Sequence, residues 1–459
     1  MGIIEMKLEH KKVLVFGTGI SGIAAAKLLN HVAADVVLYD GNDKLDITEI
    51  QENLPEDFKG QILIGELPEE VISTLDLTII SPGVPTDLEL VQYIRDKQIP
   101  IWGEVELAYY FSKGKIVAIT GTNGKTTTTT IVGEIMKTYY ESVFVVGNIG
   151  IPYTEMVQST TKDSVTVAEM SSFQLETITS FKPNVSAILN ITPDHLNRHH
   201  TMENYIAAKV NVTRNQDEND VCVLNYEDKV LCKIGEQLNT KVFYFSSLHK
   251  LKDGIYLDED KIIYSVDNEE TIICSTNELN IFGRHSYENI MAAVAMSISL
   301  GVPFDCIRKA ITSFVAVEHR IEFVTTKNGV KYYNDSKGTN PDASMKAIES
   351  MPTPTLLIAG GYDKGSEYDE WLDTFGDKIR YLVLIGQTKE KIATTARRHG
   401  FHDIIMVETL AEAVEVCAAK ANRGDSVLLS PACASWGMFK NYEERGRLFK
   451  EYVRNLDDK

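Results

Sequence analysis

The sequence predicts an α/β protein of three consecutive domains built on largely parallel sheets. Short apolar runs alternate with segments of helical period along most of the chain, the pattern of βαβ units. Two glycine-rich turns, Gly17–Gly22 and Gly121–Gly124, each follow an apolar run and open a helical segment. A chain of 459 residues also exceeds what one hydrophobic core serves.

In the first domain, residues 1–103, strands are expected at Val13–Phe16, Val36–Tyr39 and Leu77–Ile80, with helices through Ala24–Leu29 and near Leu88–Lys97. Glycine turn, helix and second strand follow a Rossmann-like order that ends on Asp40. The second domain, 104–316, starts with a strand from Ile116 and continues with strands at Val143–Val146, Val165–Ala168, Val185–Leu189 and Val221–Leu224. Between Val242 and Cys274 short strands with turn signals such as Lys252-Asp253-Gly254 predict a small antiparallel annex. A helical pair follows near 287–300 and 304–314. The third domain, 317–459, resumes the alternation and is again Rossmann-like. Its strands are expected at Lys331–Asn334, Thr355–Ala359, Tyr381–Ile385 and Ser426–Leu429, its helices at Ala343–Ser350, Lys389–Arg398, Leu410–Ala421 and Tyr442–Val453.

With 46 basic and 65 acidic residues the net charge is −19, which argues against non-specific nucleic-acid binding and against docking on anionic lipid. The six cysteines form no C-x-x-C pair, so a reduced, cytoplasmic protein is expected. No stretch supplies the roughly 18 uninterrupted apolar residues of a membrane span.

The most informative segment is Ile119-Thr120-Gly121-Thr122-Asn123-Gly124-Lys125-Thr126-Thr127, directly behind Lys115–Ala118. Glycines 121 and 124 allow backbone N–H groups to turn onto an anion, Lys125 adds a point charge, and Thr126 offers a hydroxyl to Mg²⁺. The helix that follows aims its positive end at the same anion. This describes a phosphate cradle for a nucleoside triphosphate. The Gly17–Gly22 turn would bind a pyrophosphate of any kind, so an NAD-dependent oxidoreductase and a nucleotide-sugar site both stay open. Glu169, expected just past the strand Val165–Ala168, suits a Mg²⁺ ligand, with capping of the next helix as the alternative. Asp194–His200 clusters imidazoles and a carboxylate, as a metal site or as a solvated polar loop. Lys209 reads by default as a solvated helix lysine. Three polar segments, Tyr333–Pro341, Gly360–Lys364 and Ser430–Trp436, follow strands of the third domain, where open α/β sheets bind ligands.

In order and approximate spacing, Gly121–Thr127, Gly147–Gly150, Glu169–Glu176, Asp194-His195, Ala207–Lys209, His319-Arg320, Asp335–Lys337, Gly360-Gly361 and Ser430–Ser435 resemble the Mur ligases of peptidoglycan precursor synthesis, most closely their D-glutamate-adding branch. The resemblance covers essentially the whole chain. It implies an N-terminal UDP-binding domain, a central ATPase domain and a C-terminal amino-acid domain. It also implies small-molecule substrates, no nucleic acid, no membrane insertion, and a monomer. The implied reaction is ATP-dependent ligation of D-glutamate to UDP-N-acetylmuramoyl-L-alanine through an acyl phosphate, with two Mg²⁺ ions. By resemblance, Gly121, Thr122, Asn123, Gly124, Lys125, Thr126, Thr127, Asn289, Arg320 and Asp335 serve ATP. Thr126, Glu169, His195 and a carbamylated Lys209 would hold the ions. Ile20, Ser21, Ser81 and Gly83 would surround the uridine diphosphate, and Asn148, Ser171, Gln174 and His195 the acyl end. Lys337, Thr339, Lys364, Ser435 and Tyr442 would bind D-glutamate, with Lys125, Glu169, His195, Lys209 and Arg320 as the catalytic set.

The sequence departs from the family pattern at Gly41, where a hydroxyl is usual near uracil, at Ser286 for Asn, at Gly338 for Ala or Ser, and at Tyr442 for Phe. A sister enzyme adding a diamino acid shares the phosphate loop, but no Asp-Asn-Pro-Arg segment is present. Folylpolyglutamate synthesis is a more distant rival. An oxidoreductase accounts only for residues 13–40, and a non-catalytic ATP-binding module does not need Lys209, His195 and Lys364 together.

Overall fold

Three sheets form where the chain alternates apolar runs with helices. The computed structural model describes residues 7–457 apart from 149, 268, 282, 316 and 317. Ile149 of the Gly147–Gly150 segment and the expected junction at 316/317 therefore lie outside the described residues.

The first sheet runs in the order Gln61–Ile64, Asp35–Asp40, Lys12–Phe16, Leu77–Ile80, Ile101–Gly103, with every pairing parallel. Its inner strands are near-continuous apolar runs because helices cover both faces. The strand order reverses direction between Lys12–Phe16 and Leu77–Ile80, the switch point at which such sheets leave a crevice. Gly17 and Gly22 shape that crevice: Gly17 has φ 104°, and a Cβ on Gly22 would sit 1.8 Å from the Gly17 carbonyl oxygen. Only glycine lets the helix Ile20–His31 start so close to the strand.

The second sheet has nine strands, with Lys115–Thr120 lying between Val165–Glu169 and Val185–Ile188. The expected antiparallel annex is present and continues this sheet. Lys241–Ser246 pairs parallel with Val221–Asn225 and Gly254–Asp258 pairs parallel with it, so the antiparallel hairpins Lys261–Val266 and Glu269–Ser275 extend the same sheet at its edge. Its turn signals were legible; the parallel pairing that joins it to the main sheet depends on contacts remote in sequence.

The third sheet runs Glu322–Lys327, Val330–Asn334, Ser426–Leu429, Thr355–Gly360, Ile379–Ile385, Ile404–Met406, parallel except for the first pair.

The chain divides into two compact units, Met1–Glu278 with Glu288–Thr312, and Leu279–Tyr287 with Ser313–Lys459. The first unit holds both of the first two sheets because one core runs through them: Val13 and Leu38 of the first sheet and Ala118, Ala168 and Ile188 of the second join it through Val105, Leu107 and Ala108 of the helix Glu104–Phe111. Two buried glutamates fix that helix. Glu104 accepts from the Thr154 N–H and hydroxyl at 2.7 and 2.8 Å, and Glu106 accepts the N–H groups of Thr179, Ser180 and Phe181.

Candidate active site

The phosphate loop connects the strand Lys115–Thr120 to the helix Lys125–Lys137. Gly121 has φ 144° and Gly124 φ 85°, conformations that side chains disfavour, and a Cβ on Gly124 would stand 2.3 Å from Asn289 Oδ1. Asn289 is buried against the loop and accepts from the Thr128 hydroxyl at 3.3 Å. The loop is tied down from the neighbouring strand. Asn190 Oδ1 accepts the Asn123 N–H at 2.8 Å while its Nδ2 donates to the Asn123 carbonyl at 3.0 Å. The Thr122 hydroxyl donates to the Thr192 carbonyl and lies 3.0 Å from the Tyr205 hydroxyl. Such anchoring keeps the loop's N–H groups aimed before any anion arrives.

Two lysines converge on this loop. Lys125 Nζ donates to the Gly121 and Thr122 carbonyls at 3.0 and 2.9 Å. Lys209, in the helix Met202–Val210, donates to Gly121 O at 2.7 Å and packs over the Tyr205 ring. Lys209 is only 2% exposed, which replaces the solvated-lysine reading with a buried amine. Burial first, then the neighbouring charge of Lys125, holds its pKa well below the ordinary lysine range, with Asp194 opposing.

Glu169 ends the strand beside Ile119 and is buried. Its Oε1 accepts from Asn148 Nδ2 at 2.8 Å. Asn148 also lines a cleft of about 690 Å³ with Gly17, Ile20, Ser21, Ser81, Gly83 and Gln174. That cleft opens at the switch point of the first sheet, so Ile20, Ser21, Ser81, Gly83, Asn148 and Gln174 come together. Ser171 and His195 are not part of its lining. Ser171 instead caps the short helix Ser172–Leu175 reciprocally with Gln174. His195 has φ 54° and lies over the Phe173 ring edge, next to Asp194. Asp40 Oδ2 accepts the N–H and hydroxyl of Thr18 at 3.1 and 2.9 Å, and Oδ1 the N–H of Asn42. Its oxygens organise the glycine turn.

In the second unit, three segments meet at the carboxyl end of one sheet. Asn334 pairs with Leu429 and Ile358 with Leu429, so Asp335, Ser430 and Gly360 follow side by side. The Ser430 hydroxyl donates to Asp335 Oδ2 at 2.7 Å, the Ala432 N–H to the Gly338 carbonyl at 3.0 Å, and the Gly360 N–H to the Pro431 carbonyl at 2.9 Å. Burial raises the Asp335 carboxyl to about 6, against the opposing pull of Arg320 and the Ser430 hydrogen bond. A Cβ on Gly338 would lie 2.4 Å from Asp335 Oδ2, which accounts for glycine there in this chain. Lys337 lies over the Tyr442 ring and Lys364 over the Trp436 ring. Thr339 is half-buried, and Ser435 is buried in the same loop as Ala434, which bridges to Tyr362. Arg320 sits between two residues of left-handed backbone, His319 at φ 65° and Ile321 at φ 44°. This turn is held by Ile321 N–H to Asp335, His319 N–H to Glu322 and Lys337 N–H to the His319 carbonyl. Ser286 faces His285 Nε2 at 3.2 Å while Ser350 takes Nδ1 at 3.1 Å.

Three family models match the chain: "Mur ligase MurD-like, N-terminal domain" over 11–103, "Mur ligase middle domain" over 119–297, and "Mur ligase, glutamate ligase domain" over 319–433. The chain belongs to the Mur ligase family. A UDP-N-acetylmuramoylalanine–D-glutamate ligase of Lachnoclostridium phytofermentans is 62% identical over 99% of this chain and all of that protein. One of the same name from a Thermoanaerobacter strain is 49% identical over 98% of this chain and all of its own length. A pseudomurein peptide ligase type C from Methanothermus fervidus aligns at TM-score 0.60 and 17% identity over 97% of this chain and 100% of its own. A MurF ligase from Thermotoga maritima aligns at 0.60 and 19% over 92% and 95%. At those identities the structures speak to the three-domain α/β fold of Mur ligases.

The oxygen donors of this Mur ligase suit Mg²⁺. Glu169 Oε2 is buried without a hydrogen-bond partner at the strand end behind the phosphate loop, an oxygen left open for a cation to complete. Sequence reading missed Asn190 and Tyr205, whose signal is polar chemistry on a strand end and helix beside the loop. It also missed the Glu176–Arg198 pair at 2.8 Å, in which Arg198 additionally donates to the Val84 carbonyl. Arg445 escaped it as well, a charge four residues before Phe449 and eight before Val453 on the buried stripe of its helix.

Proposed function

We propose that the chain ligates D-glutamate to UDP-N-acetylmuramoyl-L-alanine at the expense of ATP, giving ADP and phosphate. One observation carries the reading: Asn148 belongs both to the cleft at the glycine turn and, through its 2.8 Å hydrogen bond, to the carboxylate behind the phosphate loop. A nucleotide-linked substrate in the cleft thereby delivers its far end to the γ-phosphate, the juxtaposition that acyl-phosphate formation requires. Relatives that share the full length and the D-glutamate ligase name support the choice of amino acid.

In this reading Lys125 and the N–H groups of Gly121–Thr127 hold the β- and γ-phosphates, and Thr126 with Glu169 holds Mg²⁺. The ion neutralises charge between two anions that must meet. Asn289 serves adenine in the first unit; in the second, Asp335 serves ribose and Arg320 the phosphates. The substrate carboxylate oxygen attacks the γ-phosphorus, the bond to the ADP oxygen breaks, and the amine of D-glutamate then displaces phosphate from the acyl carbon. Ile20, Ser21, Ser81 and Gly83 hold the uridine diphosphate, and Asn148, Ser171, Gln174 and His195 the acyl end. Lys337, Thr339, Lys364, Ser435 and Tyr442 supply the cations and donors that two carboxylates need.

A second ion site formed by His195 and a carbamate on Lys209 belongs to the same proposal. A buried amine with a depressed pKa offers its lone pair more readily than an ordinary lysine does. That pair forms the N–C bond to CO₂, a proton leaves Nζ, and the product is an anion beside Lys125. Among the described residues no helix is long and apolar enough to cross a membrane; we place the enzyme in the cytoplasm as a monomer.

Phosphate release from ATP with purified UDP-muramoyl substrates, varying the amino acid, tests the reading. Turnover that requires D-glutamate is expected. Turnover with lysine or diaminopimelate but not D-glutamate would sink it.

A further inference from the structure

Arg445 is among the largest fully buried side chains of the protein, 0% exposed. It lies in the first turn of the helix Tyr442–Arg454, capped by Asn441. Among the described residues its guanidinium makes no ion pair at hydrogen-bond distance. Instead Nε donates to the Ser336 hydroxyl at 3.0 Å, one terminal nitrogen to the Ser336 carbonyl at 2.7 Å, and the other to the Cys433 carbonyl at 3.2 Å. The Ser336 hydroxyl in turn donates to the Tyr442 carbonyl at 2.8 Å. One side chain thus ties three segments together: the loop after the strand Val330–Asn334, the loop after Ser426–Leu429, and the start of this helix.

Each of those segments bears a residue given above to the amino acid: Lys337 next to Ser336, Ser435 two residues past Cys433, and Tyr442 itself. Burying a guanidinium without a carboxylate is unfavourable unless its fork is satisfied by well-placed acceptors. Here the acceptors belong to the loops, so moving either loop strips a buried cation of a partner. Asp335 acts on this charge only at a distance, without a hydrogen bond to it, so the loop oxygens alone fix where the guanidinium sits.

We propose that Arg445 is a positioning residue for the amino-acid acceptor, setting the spacing of Lys337, Ser435 and Tyr442 and thereby the affinity for D-glutamate. This rests on the functional reading above. It separates from a merely structural role by where the damage falls.

Arg445→Lys keeps the charge and removes the fork; Ser336→Ala removes one acceptor and is the milder change. For both, KM is measured for each of the three substrates, together with ADP release when hydroxylamine replaces D-glutamate as the nucleophile on the acyl phosphate. Arg445→Lys should raise KM for D-glutamate by on the order of 10-fold or more, and Ser336→Ala by about 3-fold. KM for ATP and for the UDP-substrate should stay within about 2-fold, and the hydroxylamine-dependent rate should be retained. If Arg445→Lys does not fold, Ser336→Ala decides by the same split. Unchanged KM for D-glutamate, or all three values raised alike, overturns the inference while the functional reading stands. Absence of any D-glutamate-dependent turnover by the unsubstituted enzyme overturns the functional reading, and this inference with it.

Discussion

Lys209 Nζ and Lys125 Nζ meet on one acceptor, the Gly121 carbonyl oxygen, at 2.7 and 3.0 Å. Burial first, and then repulsion by the neighbouring Lys125 charge, holds the Lys209 pKa well below the ordinary lysine range. The site therefore makes this amine easier to deprotonate than an ordinary lysine.

If that amine is carbamylated, Lys209→Ala should lose activity by on the order of 10²- to 10³-fold. Short carboxylic acids should partly restore it, by placing a carboxylate where the carbamate stood, and Lys209→Arg should not be rescued. The lowered pKa sets a pH expectation too. Enzyme stripped of CO₂ should regain activity with bicarbonate near neutral pH, where an ordinary lysine is almost wholly protonated. Near-normal turnover of Lys209→Ala removes the carbamate from the account.

Glu169→Gln keeps an acceptor for Asn148 but loses the charge. With the ion's anionic ligand gone, kcat should fall by about 10²-fold, roughly 3 kcal/mol. The Mg²⁺ concentration for half-maximal rate should rise, while KM for the UDP-substrate stays within about 2-fold. Asn148→Ala should instead raise KM for the UDP-substrate, since Asn148 lines the cleft. Steady-state kinetics against Mg²⁺ and each substrate separates the two; equal effects on both would contradict the assigned division of labour.

The phosphate loop and the glycine turn were legible because each is a local event: a strand, a glycine with φ above zero and a helix start are all written within ten residues. The four inner strands of the third sheet were equally plain, since buried parallel strands carry long apolar runs. Gln61–Ile64, Ile101–Gly103, Glu322–Lys327 and Ile404–Met406 were not seen, because edge strands that are short or half-exposed carry little apolar signal. The burial of Lys209 was invisible for a different reason. Its surroundings are Gly121 and Tyr205, and nothing in the sequence of a helix says that a strand-end loop 88 residues away will close over it. Asn190 and Arg445 escaped for the same cause: their partners are mostly backbone carbonyls and N–H groups of remote loops, which have no residue identity to read.

Gly22→Ala places a methyl group 1.8 Å from the Gly17 carbonyl oxygen and 2.9 Å from the Ser81 hydroxyl. The obstacle is backbone, so the helix Ile20–His31 must lift off the strand. Overpacking of this kind costs about 1–3 kcal/mol. The first unit should melt earlier, KM for the UDP-substrate should rise, and KM for D-glutamate should hold. Calorimetry with substrate kinetics checks it; an unchanged KM for the UDP-substrate would detach the glycine turn from the cleft's function.

Asp335 couples the second unit's stability to pH. Burial raises its carboxyl from the ordinary 3.8 to about 6, so the folded state binds a proton more tightly than the unfolded one. The stabilisation from that proton is complete below about pH 4 and is lost as pH rises through about 6, a difference of roughly 3 kcal/mol at 1.36 kcal/mol per unit. An ionised Asp335 at neutral pH is thus maintained against stability, as expected of a carboxylate kept for a ligand. Asp335→Asn lacks this titration. The difference in unfolding free energy between wild type and Asp335→Asn should shift in favour of the variant between pH 4.5 and pH 7.5, by about 2 kcal/mol, while other titrating groups cancel in the comparison. Denaturant unfolding of both proteins across that range gives the curve, and a pH-independent difference would show that Asp335 does not titrate there.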